Sequence, residues 1–312
     1  MPVLYYAKVN VSSKIFDVYE GKTTIQKIMN MVFEKLDDKA EYTKIEHRII
    51  HEDGELVEIE FSETYNFSGV EKFSDEPNKY VIGTLVRRYP LHGERFDEKT
   101  RQSKRVVYED NSMSIMFYFD AISEIIVFSV RQKFGYRQFM VGFRGLLDGM
   151  IEGVGFEIFL ISDPFTIKER LERAHKINRI VSVIVPPNAN EEAIDDLYDI
   201  SVDKMQSGRI TKMTNIFEAH AKMKTGMNLD SDIVRQALET NEAFYERGYG
   251  RLEVEGENRD GSTFKFDSDA DAPYQTFIDE PEKNIMEKFL DACRSGVSAL
   301  LAKQTVNKYA DK

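Results

Sequence analysis

Hydrophobic positions along the chain change period repeatedly, and each change marks an element. Val3 to Val11 (VLYYAKVNV) is a β-branched and aromatic run that predicts a strand. Thr23 to Leu36 places Ile25, Ile28, Met29, Val32 and Leu36 at helical spacing, with Thr23 and Gln26 as a capping box. Glu55 to Tyr65 sets Leu56, Val57, Ile59 and Phe61 among Glu58, Glu60 and Glu63, and Lys79 to Arg88 is a further strand. From Ser112 to Pro187 the segments follow one another without a gap. Ser112 to Asp120 and Glu124 to Val130 predict a hairpin of buried strands. Tyr136 to Ile151 has helical spacing through Phe139, Met140, Phe143 and Leu147, but carries Gly142, Gly145 and Gly149 on the way. Each glycine costs up to about 1 kcal/mol against Ala in a helix. A close approach of the helix to a sheet, or a ligand on the glycine face, would compensate.

Phe156 to Ser162 predicts a strand, and Thr166 to His175 a short helix opened by Thr166 and Glu169. Arg179 to Pro187 predicts another strand, so that residues 156–186 can form a βαβ crossover. Beyond it, Asn190 caps an acidic helix with Ile194, Leu197, Ser201 and Met205 inward. Ile210 to Met227 and Asp230 to Arg247 predict helices, Tyr249 to Glu255 with Ser262 to Phe266 a hairpin, and Asn284 to Gln304 a long helix. The stripe of that last helix must be covered by the chain's own core or by a second copy. The expected fold class is α+β, a mixed α/β chain of antiparallel-rich sheets with packed helices. Its expected division is an N-terminal sheet domain at 1–110 and a central-sheet plus helical and hairpin domain at 111–312.

Charge changes this picture unevenly. The net charge of −12 argues against a nonspecific polyanion binder, but residues 1–86, 87–180 and 181–312 carry −6, +3 and −9. The basic middle opens with RRYPLHGERFDEKTRQSKR, which has no hydrophobic period and reads as a long loop. It holds Arg87, Arg88, Arg95, Lys99, Arg101, Lys104 and Arg105, with Tyr89 and Phe96 among them as on a base-stacking surface. Lys133, Arg137 and Arg144 continue the theme, the last two on one helix face. These ten residues are the candidate nucleic-acid contacts, reaching phosphates through their cations. Glu94, Asp97 and Glu98 offer the other reading, a solvated loop that neutralises itself.

Candidate chemistry is sparse. The chain has no phosphate-binding GxxxxGK[ST] loop, nucleophile elbow or HExxH, and its GxG pairs, Gly153 with Gly155 and Gly248 with Gly250, lack a third glycine. Asp267, Asp269 and Asp271 imitate a calcium loop, but Ala272 and Ile278 stand where its glycine and glutamate belong. The five histidines are scattered, and no metal or cofactor is expected. The single Cys293 excludes an internal disulfide and fits a reducing compartment; with no apolar run of membrane length and no secretory layout at the start, a cytoplasmic location is expected. Glu253, Glu255 and Asp163 are the carboxylates that a metal-dependent nuclease would draw on, and a binding protein is expected over an enzyme.

The opening YYAKVNV with its capped helix, the strand-to-PPN junction at Val183 to Asn188, and AFYERGYGRLEVEGENRDG at Ala243 to Gly261 resemble uncharacterised bacterial proteins linked to phage defence. More loosely the layout resembles the Rex-type phage-exclusion proteins and the DNA-binding subunit of the Kiwa defence system. None of these strings is a catalytic motif. The resemblance implies DNA binding by a homodimer that signals to a protein partner. Three functions are therefore carried forward: a DNA-binding sensor or adaptor, an acidic interaction or inhibitor protein that binds no nucleic acid, and a metal-dependent nuclease.

Overall fold

The computed structural model describes all residues except 1, 53–54, 76, 109–110, 189–204, 221–222, 224, 236–237, 239–241 and 311–312. In chain order its strands begin with β1 (Val3–Val11), β2 (Glu41–Glu52), β3 (Glu55–Asp75), β4 (Asn78–Arg88), β5 (Leu91–Asp97), β6 (Gln102–Tyr108) and β7 (Ser112–Asp120). They continue with β8 (Ile125–Ser129), β9 (Phe156–Leu160), β10 (Lys176–Ile184), β11 (Met213–Glu218), β12 (Gly250–Glu257), β13 (Thr263–Asp267) and β14 (Gln275–Phe277). The described helices are α1 (Ile15–Tyr19), α2 (Ile25–Lys35), α3 (Tyr136–Met150), α4 (Pro164–Leu171), α5 (Asp232–Arg235), α6 (Glu242–Glu246), α7 (Ser268–Asp271) and α8 (Met286–Ala310).

An eight-stranded sheet, in the order β14-β1-β8-β7-β4-β3-β2 with β9 also on β1, forms the larger layer. A four-stranded sheet runs β11-β10-β12-β13, and among the described residues β5 and β6 pair only with each other. Among the described residues every strand pairing is antiparallel, as expected of the α+β class. The expected crossover at 156–186 does not form. Strand β9 pairs antiparallel with β1 in the large sheet, whereas β10 pairs with β11 and β12 in the small one. Both strands are apolar runs, and an apolar run does not record which sheet will bury it. The boundary expected at 110 falls between β4 and β7, which pair continuously from Tyr80–Asp120 to Arg88–Ser112.

Alternation along the large sheet sends two sets of side chains to two helical covers. On one face Val9, Phe67, Phe117 and Phe128 pack with Ile28 and Val32 of α2 and Phe139, Phe143 and Leu147 of α3. On the other, Leu4, Tyr6 and Val127 pack with Phe289, Cys293, Val297 and Leu300 of α8. This chain's own sheet thus covers the α8 stripe in part, while Ile285, Met286 and Leu301 stay exposed. Two of the three glycines of α3, Gly142 and Gly145, serve a close approach to the sheet. A Cβ at Gly142 would meet Tyr65, and one at Gly145 would meet Tyr42, both well inside contact distance.

Local signals were displaced by small amounts elsewhere. Thr24, not Thr23, caps α2 by accepting from Lys27 N, and Asp163, not Thr166, caps α4 by accepting from Phe165 N and Thr166 N. The segment expected as a helix at 210–227 contains strand β11 instead. Its side chains alternate between half-buried and exposed because only the face that carries Met213 and Phe217 packs on the core. Of the helix expected over Asp230 to Arg247, the described residues include α5 and α6, and most of the stretch between them lies outside the described residues. The acidic helix expected from Asn190, with Ile194, Leu197 and Ser201, lies outside the described residues, while Met205 is buried in the core beneath the small sheet.

The small sheet is an excursion from the large one. The chain leaves after β9 and returns as β14 on the same edge of β1. Its exit and return are tied together: Asp163 N donates to Ala272 O and Tyr274 N to Ile161 O, both at 2.7 Å.

Candidate nucleic-acid interface

The basic stretch is built as a ribbon, which corrects the expected long loop. Arg87 and Arg88 end β4, and residues 91 to 108 form the β5–β6 hairpin, paired from Leu91–Tyr108 to Asp97–Gln102. It shows no hydrophobic period because, among the described residues, neither face is sealed by a third strand or a helix: Phe96 is 59% exposed, and Val107 and Tyr108 are each 48% exposed. Asp97 organises the turn, accepting from Lys99 N and Thr100 N and pairing with Lys104 at 2.9 Å. Arg101 sits at φ +55°, where glycine or asparagine is less costly, so the backbone alone does not account for an arginine there. Arg95 stands directly opposite Lys104. Such like-charged cross-strand neighbours weaken a hairpin. Among the described residues no carboxylate lies within ion-pair distance of Arg95, Lys99 or Arg101. The side chain of Arg105 lies outside the described residues; its backbone pairs with Glu94.

The nine candidate cations whose side chains are described do not form one patch. Arg87 is buried between its partners: its guanidinium donates to Glu63 and to the carbonyl of Lys133, and stacks 4.2 Å from the Tyr89 ring centroid. Tyr65 Oη donates to the same Glu63 at 2.6 Å. Burial raises the Glu63 carboxyl, but the hydrogen bonds from Arg87 and Tyr65 outweigh it and hold the group below the usual range. Tyr89 is likewise buried, so it stacks no base. Arg88 pairs with Glu41. Lys133 is an exposed turn residue at φ +63° whose backbone holds Arg87. Arg137 pairs with Asp267 at 2.6 Å, and Arg144 with Glu157 at 3.0 Å and Asp148 at 3.5 Å. Of the expected set, the ribbon carries Arg95, Lys99 and Arg101 with no ion-pair partner among the described residues, and Lys104 paired within the ribbon itself.

Arg137 and Arg144 do share a helix face, but it looks onto a cleft of about 740 Å³ between α3, β9 and the β12–β13 hairpin. Arg251, Glu253, Glu255, Asp267, Asp269 and Asp271 also line it. The aspartates that imitate a calcium loop therefore converge on a cavity through the short turn α7. Their D-x-D-x-D spacing was the signal, and it pointed to a different chemistry. Glu253 and Glu255 join them there, whereas Asp163 caps α4 and pairs with Lys303 at 3.0 Å. Among the described residues no three His, Cys, Asp or Glu are grouped so that they could hold a metal ion, and no helix is long and apolar enough to cross a membrane.

A search of curated proteins finds no match. A family model described as a domain of unknown function, DUF4747, matches residues 22–294, from the turn before α2 into α8. That span takes in the ribbon, the cleft and nearly all of both sheets, and the protein belongs to the DUF4747 family.

Proposed function

We propose that the β5–β6 ribbon is a DNA-binding arm and that the protein acts as a nucleic-acid-binding sensor or adaptor through it. The observation that supports this reading is a two-stranded arm, sealed by neither sheet, that carries five cations against three carboxylates together with the exposed Phe96. A two-stranded ribbon fits the width of the B-DNA major groove. Isolated two-stranded hairpins are marginal in water, and pairing Arg95 with Lys104 adds repulsion, so the arm is arranged at a cost that polyanion binding would offset. The acidic remainder of the chain confines such binding to the arm. A role in anti-phage defence, self-association and a protein partner rest on the resemblance alone.

The test is an electrophoretic titration of duplex DNA at ~50 and ~200 mM salt, with the protein and its Arg95→Glu/Lys99→Glu/Arg101→Glu variant. Binding that weakens steeply with salt and is lost in a variant of unchanged thermal midpoint is the expected result. Equal affinity in the variant would remove the assignment. Stable capture of a basic protein with no DNA shift would favour the acidic interaction protein instead.

A further inference from the structure

The cleft between α3 and the β12–β13 hairpin holds more negative charge than its own ion pairs use, and this is independent of the ribbon. Asp267 is matched by Arg137, Glu253 by Arg251 at 3.0 Å, Glu255 by Arg179 at 3.6 Å, and Glu157 by both Arg144 and Lys212. Among the described residues no cation pairs with Asp269 or Asp271. Asp271 accepts from Asp267 N at 2.9 Å. Asp269 is only 4% exposed, and its Oδ1 accepts no hydrogen bond. A buried carboxylate oxygen without a donor is costly and rare in folded proteins. In the wall of a ligand-sized cavity, it marks where a donor from outside would bind.

We propose that this cleft binds a small organic cation, an alkylamine or alkylguanidinium, with Asp269 as its buried acceptor and Asp271 beside it. A divalent metal is the poorer occupant, because the described acidic side chains are not grouped as a metal site. An anion is also the poorer occupant, since Arg137, Arg144, Arg251 and Lys212 are matched by carboxylates and Lys265 is the one lining cation without an ion-pair partner among the described residues. Met140, Ile158 and Phe266 supply an apolar wall for the alkyl stem.

The site has a pH signature. Burial first, and the Asp267 charge second, push the Asp269 carboxyl up to about 7. Arg251 and Arg137 oppose the rise and Glu253 adds to it. Asp271 from the same turn and Lys265 from β13 complete the charged groups around the cleft on that side. A cation binds the ionised form, so affinity grows as pH rises through that value.

Calorimetry of the full chain with agmatine, at about pH 6 and pH 8, tests the site, with inorganic phosphate as the anionic probe. Agmatine is expected to bind at the higher pH and roughly tenfold more weakly at the lower. Asp269→Asn should lose about tenfold or more at the higher pH and flatten the pH dependence. Val141→Trp, which narrows the cleft from the α3 rim without touching a carboxylate, should also weaken binding, and it carries the test if the first variant does not fold. No agmatine heat at the higher pH, agmatine affinity unchanged in both variants, or phosphate binding in place of agmatine would each overturn the proposal.

Discussion

The ring of Tyr65 occupies the space in which a side chain at residue 142 would begin: a Cβ on Gly142 would stand 2.2 Å from Tyr65 Cδ1. Gly149, on the same helix, has nothing within 4 Å of the corresponding position. Gly142→Ala should therefore destabilise by about 1 to 3 kcal/mol through overpacking, although alanine is the better helix former. Gly149→Ala should instead stabilise by up to about 1 kcal/mol. Urea midpoints for the two variants should move in opposite directions; a shared direction would mean that the helix does not ride on the tyrosine.

The Arg87–Glu63 pair is buried and held by Tyr65 from one side and Tyr89 from the other. Removing one member leaves the other charged and unmatched, so Arg87→Ala should cost about 3 to 5 kcal/mol. The Glu63 carboxyl lies below its ordinary range in the folded state. Its contribution is thus complete above the unfolded value of about 4.3 and lost as pH falls through the folded value. Stability measured against pH should drop less steeply below about pH 4 in Glu63→Gln than in the parent.

Asp269 carries the opposite sign. Its folded value, about 7, exceeds the unfolded one, so the folded state loses stability as pH rises from about 4 through 7 and is level above that. The loss is on the order of 4 kcal/mol if the whole difference is expressed. Asp269→Asn should then be more stable than the parent near pH 8, with the advantage gone near pH 4. An amide variant less stable at both values would mean that the carboxylate is already satisfied.

Arg95 separates folding of the ribbon from what it binds. Arg95→Glu replaces a like-charged neighbour of Lys104 with an opposite one and should protect the arm by about 0.2 to 1 kcal/mol. The same change should lower DNA affinity and flatten its salt dependence, by about 0.9 in log–log slope for each phosphate no longer neutralised. Hydrogen exchange over residues 91–108 would slow while binding weakens. If both move together, the arm's order and its affinity are one property.

The sequence carried most elements of the fold because burial leaves a period. Phe117, Phe128 and Phe143 all belong to segments whose apolar run or helical spacing was plain, whereas Phe67 lies beyond the strand expected at Glu55 to Tyr65. Two kinds of feature left no such trace. The ribbon buries neither face, so Arg95 to Lys104 looked like a loop. Partner choice is equally silent: nothing in Phe156–Leu160 or Lys176–Ile184 says that the first joins β1 and the second β12. The candidate cations were legible as charge, but Glu63, Glu41 and Asp267, which take up Arg87, Arg88 and Arg137, are 24, 47 and 130 residues away. Asp269 was visible only as part of a spacing that fits another chemistry.

The single edge of β1 that receives both β9 and β14 bears on how the molecule is made. A ribosome delivers β14 more than a hundred residues after β9, so the nascent large sheet waits with the Val3–Tyr5 edge bare while the smaller one is synthesised. Three residues, Gln275 to Phe277, then close that gap. Until they arrive, the open stretch invites pairing with a neighbouring nascent chain. The hazard ends late, only once Gln275 to Phe277 have been made.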